Sequence, residues 1–374
     1  MIHVQKKQAY NGYIEYVDTK YGFTEWFNPY NGHYIRTERK KTGKDPFMRS
    51  FPALLDIGVC GGCLSSSLCK IDCYQGKRPY SPANDMKLED YKKIINEGAK
   101  KGLQQVALGG AGNPNDYIYF KEILQYTREN GIVPNYTTSG LGLSSPNQKT
   151  IWLTKEYCGA VAVSYHGEDY TKEALEAFIS AKCITNIHFV LSKHTIIEAA
   201  WLLKQIKQGK YPAPNAIVFL LYKPIGCGTK DHVLTMNDAH DIENLKEFFS
   251  KVHDMKDSGV QIGFDSCMTP GLLQFAQDFI DIRSVDTCEA GRFSAYITPD
   301  MHLLPCSFDN QAKEYAVDIS KISIEDAWNS NSFRLFREKF KTSCPNCSQR
   351  ELCYGGCPLV QDIVLCNRKE RITI

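Results

Sequence analysis

Cysteine is the residue type here whose spacing could do chemistry, because most of the fifteen fall in crowded stretches. Toward the carboxyl end, Cys344, Cys347, Cys353, Cys357 and Cys366 are spaced C-x2-C-x5-C-x3-C-x8-C, with Cys267, Cys288 and Cys306 upstream. Near the front, Cys60, Cys63, Cys69 and Cys73 stand at C-x2-C-x5-C-x3-C. The chain opens Met1-Ile2-His3-Val4-Gln5-Lys6-Lys7, without an apolar signal segment, so a reducing, cytoplasmic setting is expected. Clustered thiols there favour metal over disulfides. A structural zinc ribbon pairs two C-x2-C knuckles, whereas the second pair here is C-x3-C and further cysteines stand upstream. Iron–sulfur clusters take four thiolates each, and interleaved motifs serve two of them. Iron–sulfur ligation is therefore the expectation, and zinc the alternative.

The rest of the composition narrows the field. Lysine plus arginine exceed aspartate plus glutamate by only two charges, so no strong field points to nucleic acid or a membrane surface. The basic run from Arg36 to Lys44 reads as a solvated loop. No apolar run approaches the ~18 residues of a membrane span.

The thiols need a frame, and strand–helix alternation supplies one. Residues 1–50 read as strand and turn, with Asn31-Gly32 a hairpin signal, and make an N-terminal β-hairpin ribbon. From Ala53 to Asp254, short apolar runs alternate with segments of helical spacing, six units in a row. Such alternation means a parallel sheet with right-handed crossovers. The fold class is α/β, a partial (β/α)6 TIM-type barrel, with ligands at the carboxyl ends of its strands. Expected boundaries are 1–50 for the ribbon, 51–257 for the barrel and 258–374 for a cysteine-rich domain. In the last, Ile322–Lys339 reads as one amphipathic helix.

On these residues the chain resembles a known family. Cys288, Gly291 and Cys306, followed by Cys344, Cys347, Cys353, Cys357 and Cys366, look like the SPASM extension of radical S-adenosylmethionine (radical SAM) enzymes. The resemblance implies two auxiliary 4Fe–4S clusters. Cys344, Cys347, Cys353 and Cys366 would hold the outer one, and Cys288, Cys306 and Cys357 the inner one. The family's fourth inner ligand lies close before Cys288, where this chain has no cysteine. Cys267 is the substitute, and an open coordination site is the rival reading. In front, Cys63, Cys69 and Cys73 form a CX5CX3C variant of the family's C-x3-C-x2-C motif, followed by Tyr74. They would hold the third 4Fe–4S cluster, which chelates S-adenosylmethionine, with Cys60 spare. In the alternative reading all four front cysteines are ligands.

Other positions carry over less directly. Gly109 and Gly110 stand where the family has Gly-Gly-Glu, with Ala111 in place of the acid. Thr138 and Ser139 end the following strand near the expected ribose or carboxylate. Asn186 and His188 share one strand face by two-residue alternation and would touch the adenosine if that face lines the barrel; a satisfied core pair is the bland reading. His166, at the rim, and Asp265, before Cys267, are candidates to move or accept a proton. A structural hydrogen bond and a turn cap are the bland readings of these two. Cys158, Cys183 and Cys227 match no cluster pattern. Lys223-Pro224 ends the sixth strand and could meet a carboxylate.

By resemblance, then, the chain cleaves S-adenosylmethionine reductively to a 5′-deoxyadenosyl radical that takes hydrogen from substrate. The substrate would be a ribosomally made peptide, modified by a thioether, a carbon–carbon crosslink, oxidation or backbone excision. A separate leader-binding protein and an external electron donor of the flavodoxin or ferredoxin type would assist. The alternatives are a dehydrogenase or epimerase of a small molecule or nucleoside, and a non-catalytic iron–sulfur electron carrier.

Overall fold

A computed structural model describes residues 4–8, 10–38, 48–66, 72–281, 284–342, 344 and 346–367. Its strands are β1 (Val4–Gln8), β2 (Ile14–Asp18), β3 (Phe23–Phe27), β4 (Tyr34–Glu38), β5 (Leu54–Cys60), β6 (Gln105–Gly110), β7 (Val133–Thr138), β8 (Val161–Ser164), β9 (Thr185–Leu191), β10 (Ala216–Leu221), β11 (Gln261–Phe264), β12 (Ser294–Ile297), β13 (His302–Leu304) and β14 (Val317–Asp318). The helices are α1 (Leu88–Lys101), α2 (Phe120–Glu129), α3 (Lys149–Tyr157), α4 (Asp169–Ser180), α5 (Ile196–Lys207), α6 (Ala239–Asp254), α7 (Thr269–Phe275), α8 (Ile324–Trp328), α9 (Asn331–Thr342) and α10 (Arg350–Cys353).

The expected partial barrel is what the chain adopts. Strands β5 to β11 pair in parallel in sequence order, and β12, β13 and β14 continue the same sheet beyond β5. The parallel run thus has eight members, since β11 extends it at one edge and β12 pairs in parallel with β5 at the other. Each strand has one apolar face under the helices. In β9, Thr185, Ile187, Phe189 and Leu191 are buried, while Asn186, His188 and Val190 are half-buried on the lumen side. In β5, Leu55, Ile57 and Val59 are fully buried, and Asp56 takes the other face. Helix α1 meets this layer with Tyr91, Ile94 and Ile95, and its charges suit its dipole: Glu89 and Asp90 begin it, Lys100 and Lys101 end it. No helix among the described residues is long and apolar enough to cross a membrane.

The hairpin of β3 and β4 forms as expected, within a four-stranded antiparallel sheet that also includes β1 and β2. Its turn reaches the amino-terminal ends of the barrel strands. Gly32 has φ +77°, and a Cβ there would lie 2.6 Å from Gln105 Oε1 and 3.0 Å from Asn135 Nδ2, so only glycine fits. A Cβ on Gly159 would likewise meet the Asn31 backbone at 2.7 Å. The turn therefore closes the floor beneath β6, β7 and the entry to β8. Arg36 clamps the sheet to the C-terminal part through Glu289 (3.0 Å) and Asp286 (3.4 Å), with its guanidinium 3.6 Å from the Phe293 ring centroid. Buried Glu25 meets Arg49 at 3.7 Å and accepts from Gln104.

One expected element is corrected. Ile322–Lys339 is not a single helix but α8 and α9, parted at Asn329 and Ser330. The Trp328 ring is fully buried, and its Nε1 donates to the Arg49 carbonyl at 3.0 Å. Arg337, from α9, turns back to donate to the Trp328 carbonyl at 2.9 Å and lies 4.6 Å from the indole. The anchored indole and this satisfied carbonyl end α8 early.

Candidate active site

The front cysteines follow β5 onto the rim. Cys60 is the last residue of β5 and is buried, with its thiol donating to the Asn113 carbonyl (3.5 Å) rather than opening to the lumen. Burial, then Asp85 and Asp116, push that thiol above the ordinary range. Cys63 donates its amide to the Arg78 carbonyl at 2.9 Å and is half-buried, as is Cys73. Cys69 lies outside the described residues. The end of the front loop is gripped from two sides. The segment after β10 supplies Cys227, whose amide donates to the Cys73 carbonyl (3.0 Å), and His232, 2.7 Å from Asp72. At Gly226, φ is +69° and a Cβ would strike the Tyr74 carbonyl at 2.3 Å, so glycine is required for this approach. From the other side, Asn310 donates to Gln75 (2.6 Å), and the rings of Phe308 and Tyr74 lie 4.5 Å apart.

The four C-terminal thiols Cys267, Cys288, Cys306 and Cys357 come together at the rim. Cys267, just after β11, hydrogen-bonds to Cys357, and this bond and then burial push its thiol up. Burial and then the nearness of Cys267 push Cys288 up to about 12, and burial followed by Cys288 raises Cys306. Donors surround the sulfurs: the amide of Val360 reaches Cys357 Sγ at 3.4 Å, and the amides of Ala290 and Phe308 reach Cys288 and Cys306. Such donors favour thiolate, as iron–sulfur ligation requires. The buried soft sulfurs with amide donors fit a cluster. Among the described residues no group of three or more Cys, His, Asp or Glu is drawn tightly enough for a single metal ion. In a four-iron cluster each thiolate binds a different iron, which asks for wider spacing.

Cys344, Cys347, Cys353 and Cys366 form a separate group around a small open-mouthed pocket, with Pro270, Leu273 and Arg350 also on its wall. The turns are local: Cys347 donates its amide to the Cys344 carbonyl at 3.1 Å, and α10 carries Cys353. Burial and the neighbouring Cys366 and Cys344 push Cys353 up to about 11. The donor set again fits a cluster.

The remaining candidates spread around the lumen except Thr138, which is in register with Val163 and Ile187 and shares their buried, helix-side face. Gly109 and Gly110 end β6, and a Cβ on Gly109 would meet nothing within 4 Å, which leaves its backbone open to a ligand. Thr138 and Ser139 hydroxyls accept from the amides of Gly140 (3.2 Å) and Leu141 (3.3 Å). Asn186 and His188 do share the lumen face. Burial lowers His188 to about 4, so it is neutral at physiological pH, and its Nδ1 lies 3.4 Å from Thr137 Oγ1. His166 is tied to the Tyr170 hydroxyl at 2.6 Å, and burial lowers its pKa. Asp265 Oδ2 accepts from Lys223 Nζ at 2.9 Å, while Oδ1 is buried with no hydrogen-bond partner among the described residues. Cys158 and Cys183 pack against the core away from the thiol groups.

Two groups were under-read. Lys223 is deeply buried beside the inner thiols, and a lysine directly after an apolar strand was the available signal. Asp56 is a lone carboxylate in the apolar run Leu54–Val59, and burial followed by Glu289 pushes it up to about 7. That isolated acid could have been flagged from the sequence.

Comparison with known proteins agrees with this geometry. Residues 288–349 match SPASM, described as an iron–sulfur cluster-binding domain. No curated protein sequence matches. Among solved structures, Streptococcus suis SuiB bound to precursor peptide SuiA is similar at TM-score 0.67 and 14% identity, over 94% of this chain and 96% of that one. SuiB bound to S-adenosylmethionine is similar at TM-score 0.65 and 14% identity, over 99% of both. Native anSMEcpe with bound AdoMet gives TM-score 0.57 and 15% identity, over 84% of this chain and 92% of that one. The chain thus has the α/β fold of these proteins and carries an iron–sulfur cluster-binding domain at its carboxyl end. The resemblance to a SPASM extension, read from the cysteines, is borne out over residues 288–349, and the fold is shared with these solved structures.

Proposed function

We propose that this protein is a radical SAM enzyme that modifies a ribosomally made peptide. The observation that carries the reading is the sorting of thiols into a front loop at the end of β5, an inner buried group and an outer group. Cys63, Cys69 and Cys73 hold the front 4Fe–4S cluster, Cys267, Cys288, Cys306 and Cys357 the inner one, and Cys344, Cys347, Cys353 and Cys366 the outer one. With S-adenosylmethionine bound, a cluster held by Cys63, Cys69 and Cys73 would supply the one electron for its reductive cleavage to methionine and a 5′-deoxyadenosyl radical able to take hydrogen from unactivated carbon.

The chain's own residues do the rest. The open backbone at Gly109 receives the methionine end, while Gly110 packs against Gly58 and Tyr296; Ser139, just past the buried Thr138, is the hydroxyl offered to its polar groups. Asn186 and neutral His188 line the adenosine side of the lumen. Asp265 and His166 are the candidates to hold or accept a proton, Asp265 while paired to Lys223 and His166 while paired to Tyr170. The peptide class is supported by SuiB with its precursor peptide SuiA and by anSMEcpe with the Cp18Cys and Kp18Cys peptides. A leader-binding protein and a flavodoxin- or ferredoxin-type donor complete the system in a reducing cytoplasm.

Anaerobic reconstitution tests the reading. About twelve irons per chain are expected, four per cluster, with 5′-deoxyadenosine formed under reductant. Mass spectrometry of candidate precursor peptides then reads the bond made. Zinc in place of iron would end the radical reading. Turnover of a nucleoside or small molecule, with peptides untouched, would replace the substrate class.

A further inference from the structure

The inner thiol group has a fixed cation beside it. Lys223 follows β10, and only 1% of its side chain is accessible. Its Nζ donates to the Leu221 carbonyl at 2.8 Å and to Asp265 Oδ2 at 2.9 Å, and it lies 4.3 Å from the Phe308 ring centroid. Its partners flank the inner thiols, Asp265 two residues before Cys267 and Phe308 two after Cys306, and its charge acts on Cys267, Cys306 and Cys357. They are carried by three different segments, so the lysine sits where those segments converge. An anchor between β10 and the loop after β11 would need Asp265 alone.

We propose that Lys223 is a positioning residue for charge: it sets the reduction potential of the cluster held by Cys267, Cys288, Cys306 and Cys357. This rests on the proposed reading that these thiols hold a cluster. The reduced form carries one more negative charge than the oxidised form, and no bond changes when the electron enters. A cation held in a dry site favours that extra charge far more than it would in water. Asp265 offsets part of the effect, and its unpartnered buried Oδ1 marks a carboxylate held there at a cost. Phe308 follows this cation with a ring tilted against that of Tyr74, next to Cys73. Lys223 therefore stands at the aromatic bridge between the front loop and the inner group, where it biases an electron toward the inner side.

The test is a potentiometric titration of the anaerobic holoenzyme, with dithionite as reductant and electron paramagnetic resonance as readout. Cys357→Ala identifies the inner cluster as the signal it removes; if it removes none, the inner site holds no cluster and the reading beneath the inference falls. Lys223→Met is expected to shift the inner one-electron equilibrium about tenfold toward the oxidised form, about 59 mV more negative. Lys223→Arg should keep the parent midpoint, and Asp265→Asn should move it the opposite way. An unmoved inner midpoint in Lys223→Met with full iron content would overturn the proposal and leave Lys223 an anchor. Should Lys223→Met fail to assemble, Asp265→Asn decides, and an unchanged midpoint there overturns it equally.

Discussion

Cys344, Cys347, Cys353 and Cys366 come from one short run and line a cavity open to solvent, while Cys267, Cys288, Cys306 and Cys357 are delivered by four separate segments and packed beside a buried lysine. The outer group needs little beyond local turns and α10. The inner group exists only once β11, the turn at Gly291, the β13 end and the C-terminal loop are all in place. Local spacing thus writes one group into the sequence, and tertiary assembly writes the other. The inner environment is also the one with a stake in charge, since burial there raises thiols and a lysine answers them.

The front loop gives the sharpest break of this comparison, because it mixes both modes. Cys63→Ala and Cys73→Ala should abolish 5′-deoxyadenosine formation, while Cys60→Ala, whose thiol is turned to Asn113, should spare it; liquid chromatography of the product reads this. Equal loss from Cys60→Ala would make the buried thiol a ligand. Next, Cys357→Ala and Cys347→Ala should each remove about four irons per chain. The two losses should differ in what remains: the first removes the signal sensitive to Lys223, and the second leaves it. Loss of both auxiliary signals from either variant would merge the two groups into one cooperative site.

Smaller effects probe the surroundings. Asp265→Asn should destabilise the metal-free protein by about 2 kcal/mol in urea unfolding, since it strands a buried ammonium; the figure is below a fully buried pair because Asp265 keeps 19% of its side chain accessible. No change would mean that Lys223 finds another partner. The smallest effect lies in the lumen, away from the thiols. His188 has its folded pKa lowered to about 4, below the ~6.5 of an unfolded chain. As pH falls below about 6.5 the unfolded state binds a proton that the folded state refuses, so stability falls until about pH 4. Between pH 6.5 and 5.5 the metal-free protein should lose about 1 kcal/mol through this residue, and His188→Gln should remove that part of the slope.

Much of this was legible in the sequence, for physical reasons. Helix α1 and strand β9 fall where the periodicity places them, because each alternates cleanly between a buried face and an exposed or lumen face. The outer group came from the family resemblance, since the local spacing alone runs on into Cys357. The meeting of Cys267 with Cys357 was only a surmise, since sequence separation hides a contact made by the last barrel strand and the C-terminal loop. The break in Ile322–Lys339 was hidden because its apolar spacing runs on through Asn329, whereas the break comes from Trp328 docking on Arg49. Strand β1 was missed, its Val4–Gln8 run being polar and lysine-rich.

The hairpin turn at Gly32 packs against the feet of β6 and β7 and caps that end of the sheet. On the proposed peptide-modifying reading, a substrate is then offered from the rim, the side that carries the cysteine loops. The part of it that reaches deepest is the part that can react. Selection of the target along a peptide then becomes a question of reach.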